Sequence, residues 1–529
     1  MRLIEDDQFN TYKSSRDVGF VVDMGEGSVY GSEVDMAHRV GDLHIDEADQ
    51  LTGFWASWSY DAILNKNSNP EISKTGCGSP AKLIGIVSSF LNRVGIEWSG
   101  FQRIIGLDHY LSETATEDKS IFEKELEGFI SGVADEMKHQ NASFHLFLGF
   151  VDKGDLGNPR EKNDSPLRVQ ESLFRSFTLN EGCSPKITPI VQLKDLDWGS
   201  EHNRAIFEAA AKYGTPFYIR GSQANTGEKC AINDPWINGC SQGINTGVIG
   251  LVTLNLPRVA YQSKDESIFF ERVDELLDLA RNGLENKRSL ISDRMNKGGM
   301  PITLAASGSF DGYFDAIGIV GVHETLLNLF GKGIESMQGK AVAYKLLEQM
   351  NDRIEEFQKE TGHPFCLTAI PSGNAPYRLA EMDRREYPEI KTSGVESPFY
   401  TNSSCLPVDY TDDLWDALEH QKKLQTFYNG GTIFNIYLDK EIEDIDGCIA
   451  LTKKIDESFQ VPCFAFSPVY RRDHKHCIYT EANRARTSTS HDTREYRRLE
   501  LEYKTMNTFT KGELEEVRLR KPYAVVSGW

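Results

Sequence analysis

The sequence predicts an α/β protein with buried, largely parallel strands, and three observations carry that expectation. Short apolar runs rich in β-branched and aromatic residues recur along the chain, each edged by Gly or Pro. Longer stretches between them repeat their apolar residues at helical spacing. No tandem repeat or low-complexity linker interrupts the alternation, so a single large α/β body is expected. Pattern alone leaves an open sheet and a barrel as equal alternatives.

In chain order, "SPAKLIGIVSSFLNRVGIEWSGF" predicts a helix with an apolar face from Leu83, and "SIFEKELEGFISGVADEMKH" predicts a second. The runs "ASFHLFLGF", "KITPIVQL", "GTPFYIRG" and "IGLVTLNL" have strand length and strand composition. Two long periodic helices follow, "DESIFFERVDELLDLARNGLENKRSLISDRM" and "AVAYKLLEQMNDRIEEFQKETG", the second ending on Gly362 as a C-cap. The runs "PFCLTAI", "GGTIFNIYL" and "VPCFAFSPV" complete the strands.

Composition narrows the function classes. The chain has 529 residues, 39% of them hydrophobic and 10% aromatic, enough for a large core. Its 79 acidic and 58 basic residues give a net charge of −21, which argues against a sequence-independent nucleic-acid surface but not against a locally basic site for a small anion. No apolar run reaches membrane-spanning length, and the acidic start "MRLIEDDQFN" is not expected to be a secretory signal. The nine cysteines are Cys77, Cys183, Cys230, Cys240, Cys366, Cys405, Cys448, Cys463 and Cys477. They are odd in number, scattered and without a Cys-x-x-Cys pair, so a reduced, cytoplasmic protein is expected.

Three stretches could carry chemistry. "GEKCAINDPWINGCSQGINTGVIGLVTLNLPRVAY" places Cys230 and Cys240 on a Gly- and Asn-rich loop that feeds a strand; the bland alternative is a pair of loop cysteines without a role. In "AIPSGNAPYRLAEMDRREYP" a strand ends at Ile370 and a helix opens near Tyr377. The turn between, with Ser372, Gly373 and Asn374, could offer backbone N–H groups to a phosphate, or simply cap the helix. In "SPVYRRDHKHCIYTEANRARTSTSHDTREYRR", His474, His476, Cys477 and His491 match no common zinc spacing, and a solvated basic loop is expected.

Six collinear segments resemble the anaerobic, class III ribonucleotide reductases, a family of glycyl radical enzymes. They are "AHRVGDLHID", "SPAKLIGIVSSFLNRVGIEWSGFQ", "GVIGLVTLNLPRVAY", "GIVGVHETLLNLFGKGI", "YTNSSCLPVDYTDDLWDALEHQKKLQTFYNGGTIFNIYL" and "FAFSPVY". The resemblance runs from about residue 30 to about residue 523; the N-terminal regulatory ATP-binding module of many members is expected to be absent. It implies a ten-stranded α/β barrel with a central finger loop, over residues 1–460, and a C-terminal segment, 461–529, equivalent to the family's zinc and radical region. It further implies Cys230 as the thiyl residue that abstracts a ribose hydrogen, Asn255 as a substrate contact, and Ser372, Gly373 and Asn374 at the nucleotide phosphates. The family's acidic residue in that turn is replaced by Gly373. A nucleotide ligand and a homodimer are the implied partners.

The departures are chemical. Trp55, in "GFWASWSY", stands where the family places a second reducing cysteine, and an indole has no thiol to supply electrons. Asp473 stands at the first of the family's four zinc cysteines and no Cys-x-x-Cys pair survives, so no zinc is expected. With Lys511-Gly512-Glu513 aligned to the family's tail, Tyr496-Arg497-Arg498 falls on Tyr-Ser-Arg, and Leu501 takes the place of the radical glycine. A leucine side chain crowds the planar α-carbon such a radical needs, so no glycyl radical is expected there. A competing register, "VVSGW", nominates Gly528, but a single residue follows it, and a stored radical needs a held loop. No cofactor follows from the sequence; cobalamin is conceivable as another radical source. Two functions stay open: a reductase-like enzyme using Cys230 on a nucleotide, and a rewired, non-catalytic nucleotide-binding homologue.

Overall fold

The structure, a computed structural model, describes residues 28–64, 80–108, 111, 119–139, 146–149, 165–179, 187–193, 196–220, 245–370, 373–473, 478–479, 493–499 and 501–524. Its main sheet contains β1 (Leu43–Ile45), β2 (Trp55–Ser59), β3 (Gln102–Ile105), β4 (Leu146–Gly149), β5 (Ile187–Gln192), β6 (Phe217–Ile219), β7 (Thr246–Asn255), β8 (Tyr313–Val320), β9 (Phe365–Thr368), β10 (Phe434–Leu438) and β11 (Cys463–Pro468). A smaller antiparallel sheet follows, with β12 (Tyr470–Asp473), β13 (Ile478–Tyr479), β14 (Thr493–Leu499) and β15 (Glu502–Thr505).

Along the main sheet the order is β10-β11-β6-β5-β4-β3-β2-β7-β8-β9, with β1 paired to β7 off this path. Strands β2 to β6 run parallel to one another, as do β7 to β9 and the pair β10–β11. The groups meet antiparallel at β2–β7 and β6–β11. The expected strand runs become β4, β5, β6, β7, β9, β10 and β11. The expected C-terminal region, 461–529, thus opens with a strand of the main sheet, and the separate sheet starts at Tyr470.

Alternation sorts each strand between two faces. Phe365 and Leu367 of β9 join the helices Glu266–Asn296 and Met337–Thr361 in one outer core, while Cys366 points to the other face. Phe464 and Phe466 of β11 pack outward with the helices Pro80–Val94 and Glu201–Tyr213, and Cys463 and Ala465 face inward. A register shift between Val248 and Gly250 changes the count in β7, so its inward residues Val248 and Leu251 are three apart instead of two.

The inner face shows that the sheet curls. Cys366 of β9 and Cys463 of β11 share one buried cluster, although eight strand steps separate them along the path. A flat sheet at about 4.8 Å per step would hold them roughly 38 Å apart. The ends of the path are tied by main-chain bonds: Gly430 N–H donates to Leu367 O and Ala369 N–H to Gly431 O, both at 2.8 Å. Only glycine fits at 430, because a Cβ there would lie 2.7 Å from Cys366 Sγ. No β9–β10 ladder forms among the described residues. In place of the expected ten-stranded closed barrel, the described residues form an eleven-stranded curled sheet with its ends joined through main-chain bonds on the approach to β10. The expected finger loop, with Cys230 and Cys240, lies outside the described residues.

Candidate functional site

The ends of β7 and β8, with β1 alongside, converge on the helix Ala375–Glu386 that follows β9. Gly373 precedes this helix with φ +39°, and Asn374 is its N-cap residue without a capping side-chain bond. The N–H groups of Tyr377 and Arg378 turn back to Asn374 O. Of the turn expected to hold phosphates, Gly373 and Asn374 are thus at the helix start as read from sequence, and Ser372 lies outside the described residues.

This start is ringed by titratable side chains from the N-terminal segment, which sequence spacing did not bring together. A side chain at position 373 would begin 3.5 Å from Asp46 Oδ1, so Asp46 places a carboxylate beside the position where the family's acidic residue is missing. Asp46 Oδ2 is buried without a hydrogen-bond partner among the described residues, and Oδ1 lies 3.7 Å from His44 Nε2. Arg378 donates to His38 O at 2.7 Å, and its other terminal nitrogen lies 3.5 Å from His44 Nδ1. His38 Nδ1 accepts the Ile45 N–H at 3.0 Å. Burial, then the Arg378 charge, pulls the His38 imidazole down to about 3.

Asn255 is fully buried at the end of β7. Its amide donates to Gly41 O at 2.7 Å and to Asp383 Oδ2 at 2.8 Å, and its oxygen accepts the Arg258 N–H. Asp383 also accepts from Arg258 Nε at 2.6 Å and from the Tyr400 hydroxyl at 2.7 Å. Arg258 continues to Val40 O and Glu386. Burial raises the Asp383 carboxyl, and Arg258, Tyr400 and Asn255 oppose the rise. Both Asn255 amide hydrogens are spent on protein groups, so a substrate contact would require exchanging one of them. Its amide meets the helix eight residues beyond Ala375, about 12 Å along the axis, and not at the phosphate end.

The inner face carries an aromatic cluster around Trp55, with one buried arginine against it. Trp55 is 2% exposed and stacks on Phe101, with ring centroids 4.9 Å apart and an interplanar angle of 18°. The Arg103 guanidinium lies over the same indole at 5.5 Å. The cluster also draws in Phe217 and Ile219 of β6 and Phe314 of β8. Cys366 and Cys463 belong to it too; sequence reading passed over both, because alternation sorts residues within β9 and within β11 but does not say which faces of the two strands coincide.

The tail reaches this cluster. Strands β14 and β15 pair with Leu499 opposite Glu502, and Leu501, in the connection, packs against the inner face. Arg498 anchors the hairpin by donating to Gly214 O at 2.7 Å, between the rings of Phe217 and Tyr503. The helix Lys511–Leu519 starts on a reciprocal Thr510–Glu513 capping box. It then docks on the candidate phosphate helix: the Tyr377 hydroxyl donates to Glu516 at 2.6 Å, and a Cβ on Gly512 would lie 2.5 Å from the Tyr377 ring. Gly528, His474, His476, Cys477 and His491 lie outside the described residues. Asp473 pairs with Thr493 as a backbone strand position of β12. A four-cysteine zinc cage does not fit this C-terminal region, whose cysteines are Cys463, committed to the inner cluster, and Cys477. Among the described residues no helix is long and apolar enough to cross a membrane.

Comparison with known proteins agrees with this geometry. A family model described as anaerobic ribonucleoside-triphosphate reductase matches residues 19–523. The anaerobic ribonucleoside-triphosphate reductase of Haemophilus influenzae is 29% identical over 204 residues, 35% of this chain and 28% of that protein. The Escherichia coli protein of the same name is 28% identical over 219 residues, 37% of this chain and 30% of that protein. The matched stretch therefore spans less than a third of either curated relative. In fold, the chain is similar to an anaerobic ribonucleotide reductase with a TM-score of 0.78 at 17% identity, covering 93% of this chain and 85% of the other. It is also similar to the Thermotoga maritima anaerobic ribonucleotide reductase in complex with dATP and CTP, with a TM-score of 0.75 at 16% identity, covering 90% and 85% of the two chains. With the family model matching almost end to end, the chain belongs to the anaerobic ribonucleoside-triphosphate reductase family.

Proposed function

We propose that this chain binds a nucleotide with its phosphates at the start of the helix Ala375–Glu386, and that it stores no radical on its own backbone at position 501. The observation that carries this reading is Leu501. It is a bulky residue at the connection of the β14–β15 hairpin, packed on the inner cluster that also holds Trp55. Where the family keeps a glycine and a reducing cysteine, this chain keeps two apolar side chains. In this reading the ten-strand path is the family's barrel with its interior refilled, and the family's homodimer and a cytoplasmic setting are expected to accompany it. Support for an anion at this end comes from the helix dipole and the Arg378 side chain beside it, since Pro376 has no N–H and the N–H groups of Tyr377 and Arg378 already turn back to Asn374 O.

The test pairs binding with turnover. Titration of the full chain with ribonucleoside triphosphates is expected to saturate, and Asn374→Asp, which puts a negative charge on the helix start, should weaken binding about tenfold. An anaerobic assay fed with reductant is expected to yield no deoxyribonucleotide. Absence of saturable binding overturns the reading.

A second reading is favoured by the two cysteines on the inner face. Cys366 and Cys463 would keep sulfur chemistry within the refilled interior while Cys230 acts as the thiyl residue, its radical supplied from outside this chain. Deoxyribonucleotide formation that disappears in Cys230→Ser would select it; turnover unchanged by that substitution would remove it.

A further inference from the structure

We propose that the cleft between the β14–β15 hairpin and the helix Lys511–Leu519 is a second binding site, taking a small molecule that carries phosphate. The cleft encloses about 490 Å³, within the roughly 300–1,000 Å³ of small-molecule sites. Arg497, Arg498, Arg518 and Arg520 line it, with Asp439 as the acidic residue among its lining side chains. Four guanidinium groups on one cleft stand out in a chain of net charge −21, although three of them also reach carboxylates at its rim. The cleft opens beyond the ends of β10 and β11, at Leu438 and Ser467, and its lining shares no residue with the helix start at Gly373.

The arginines differ in what they already hold. Arg498 is 3% exposed and has no carboxylate partner among the described residues. It donates to two main-chain carbonyls, of Gly214 and Phe466, and its Nε has no partner among the described residues. A buried cation without a counter-ion is costly, and burial lowers the Arg498 guanidinium from its ordinary value. The others are ion-paired around the rim: Arg497 with Glu495 at 2.7 Å, Arg518 with Glu396 at 3.4 Å and Glu515 at 3.6 Å, and Arg520 with Glu516. The Arg518–Glu396 pair is exposed and the Arg497–Glu495 pair partly so, and such pairs contribute little, so a phosphate can replace a carboxylate there at small cost, whereas Arg520 stays paired with the largely buried Glu516. The planar fork of each guanidinium suits phosphate oxygens. Arg520 also stacks on Tyr437 at 3.8 Å, which holds its head in place at the wall.

The test titrates pyrophosphate into the full chain at low salt by calorimetry. Saturable binding tighter than about 1 mM is expected, weakening as salt screens the arginines. Arg518, two-thirds exposed at the rim, can be changed without disturbing the core. Arg518→Glu and Arg497→Gln should each weaken binding by about tenfold, and Asn374→Asp should leave it unchanged. A parallel titration with adenosine triphosphate, read only as the binding that Arg518→Glu removes and Asn374→Asp keeps, tells the source of the phosphate: at the cleft, much tighter binding than pyrophosphate assigns a nucleotide, equal affinity a free phosphate or its esters, and both support the site. No saturation up to about 10 mM, an affinity indifferent to both arginine substitutions, or an equal loss in Asn374→Asp overturns it.

Discussion

Two buried regions of this chain sit on one curled sheet and have opposite chemistry. At the ends of β7 and β8, Asn255, Arg258, Asp383 and Tyr400 form a polar knot in which the Asp383 carboxylate accepts from all three of the others. On the inner face, Trp55, Phe101, Phe217 and Phe314 pack with Leu501 in an apolar cluster. The knot binds segments far apart in sequence, from Gly41 to Tyr400, and removing either Arg258 or Asp383 strands a charge. The inner face holds its parts by shape, which tolerates replacement as long as volume is kept. That difference would let the family's frame tolerate Trp55 and Leu501 on its inner face, as the proposed reading has it.

The comparison can be broken at its polar side first. Arg258→Met leaves Asp383 buried beside Asn255 and Tyr400 without its cation, and should cost about 4 kcal/mol in chemical denaturation. A loss under about 1 kcal/mol would mean the knot is not what ties these segments together. On the apolar side, Trp55→Ala removes a stacked indole and should cost about 3 kcal/mol. Trp55→Phe, keeping an aromatic ring on Phe101, should recover most of that loss. If both Trp55 variants were equally damaging, packing would not be the role of the indole.

A smaller effect is expected where the tail meets the candidate phosphate helix. Gly512→Ala pushes a methyl group into the Tyr377 ring and should cost about 2 kcal/mol. Faster hydrogen exchange confined to residues 511–519 would locate the damage at this contact; uniform exchange would deny it. A pH dependence is expected as well. His38 is neutral in the folded chain because burial and then Arg378 hold its imidazole down to about 3. The unfolded chain takes up that proton near its ordinary value, so the stability His38 contributes is full above about pH 6.5 and declines as pH falls toward 3. His38→Gln should flatten this slope, and a slope unchanged in the variant would assign it to other groups.

How much of this was legible in the sequence depended on the distance between partners. Four helices and seven strands were readable because period and end signals are local, as with Gly362 closing the helix Met337–Thr361, while helices such as Glu201–Tyr213 and Ile445–Ser458 were passed over. Strand β8 was harder: "YFDAIGIV" is buried on both faces and shows no alternation. The tail register, with Leu501 next to the hairpin turn, came from ordered motif resemblance and fits the place where that residue packs. The environment of the phosphate turn was not legible. Asp46, His38 and His44 lie more than three hundred residues from Gly373, and no spacing rule connects them. Asn255 could be read as a helix-start residue before Pro257, yet its bond to Asp383 depends on a helix 128 residues later. The paired inward placement of Cys366 and Cys463 needed the sheet order, which pattern does not supply.

The central claim, that position 501 carries a packed leucine where the family stores its radical, is tested most directly by electron paramagnetic resonance. The full chain would be incubated anaerobically with a radical-generating activating enzyme and its spectrum recorded. The account predicts no glycyl doublet. A doublet that persists in the full chain and vanishes in Gly528→Ala would contradict it and move the radical to the chain's last residues.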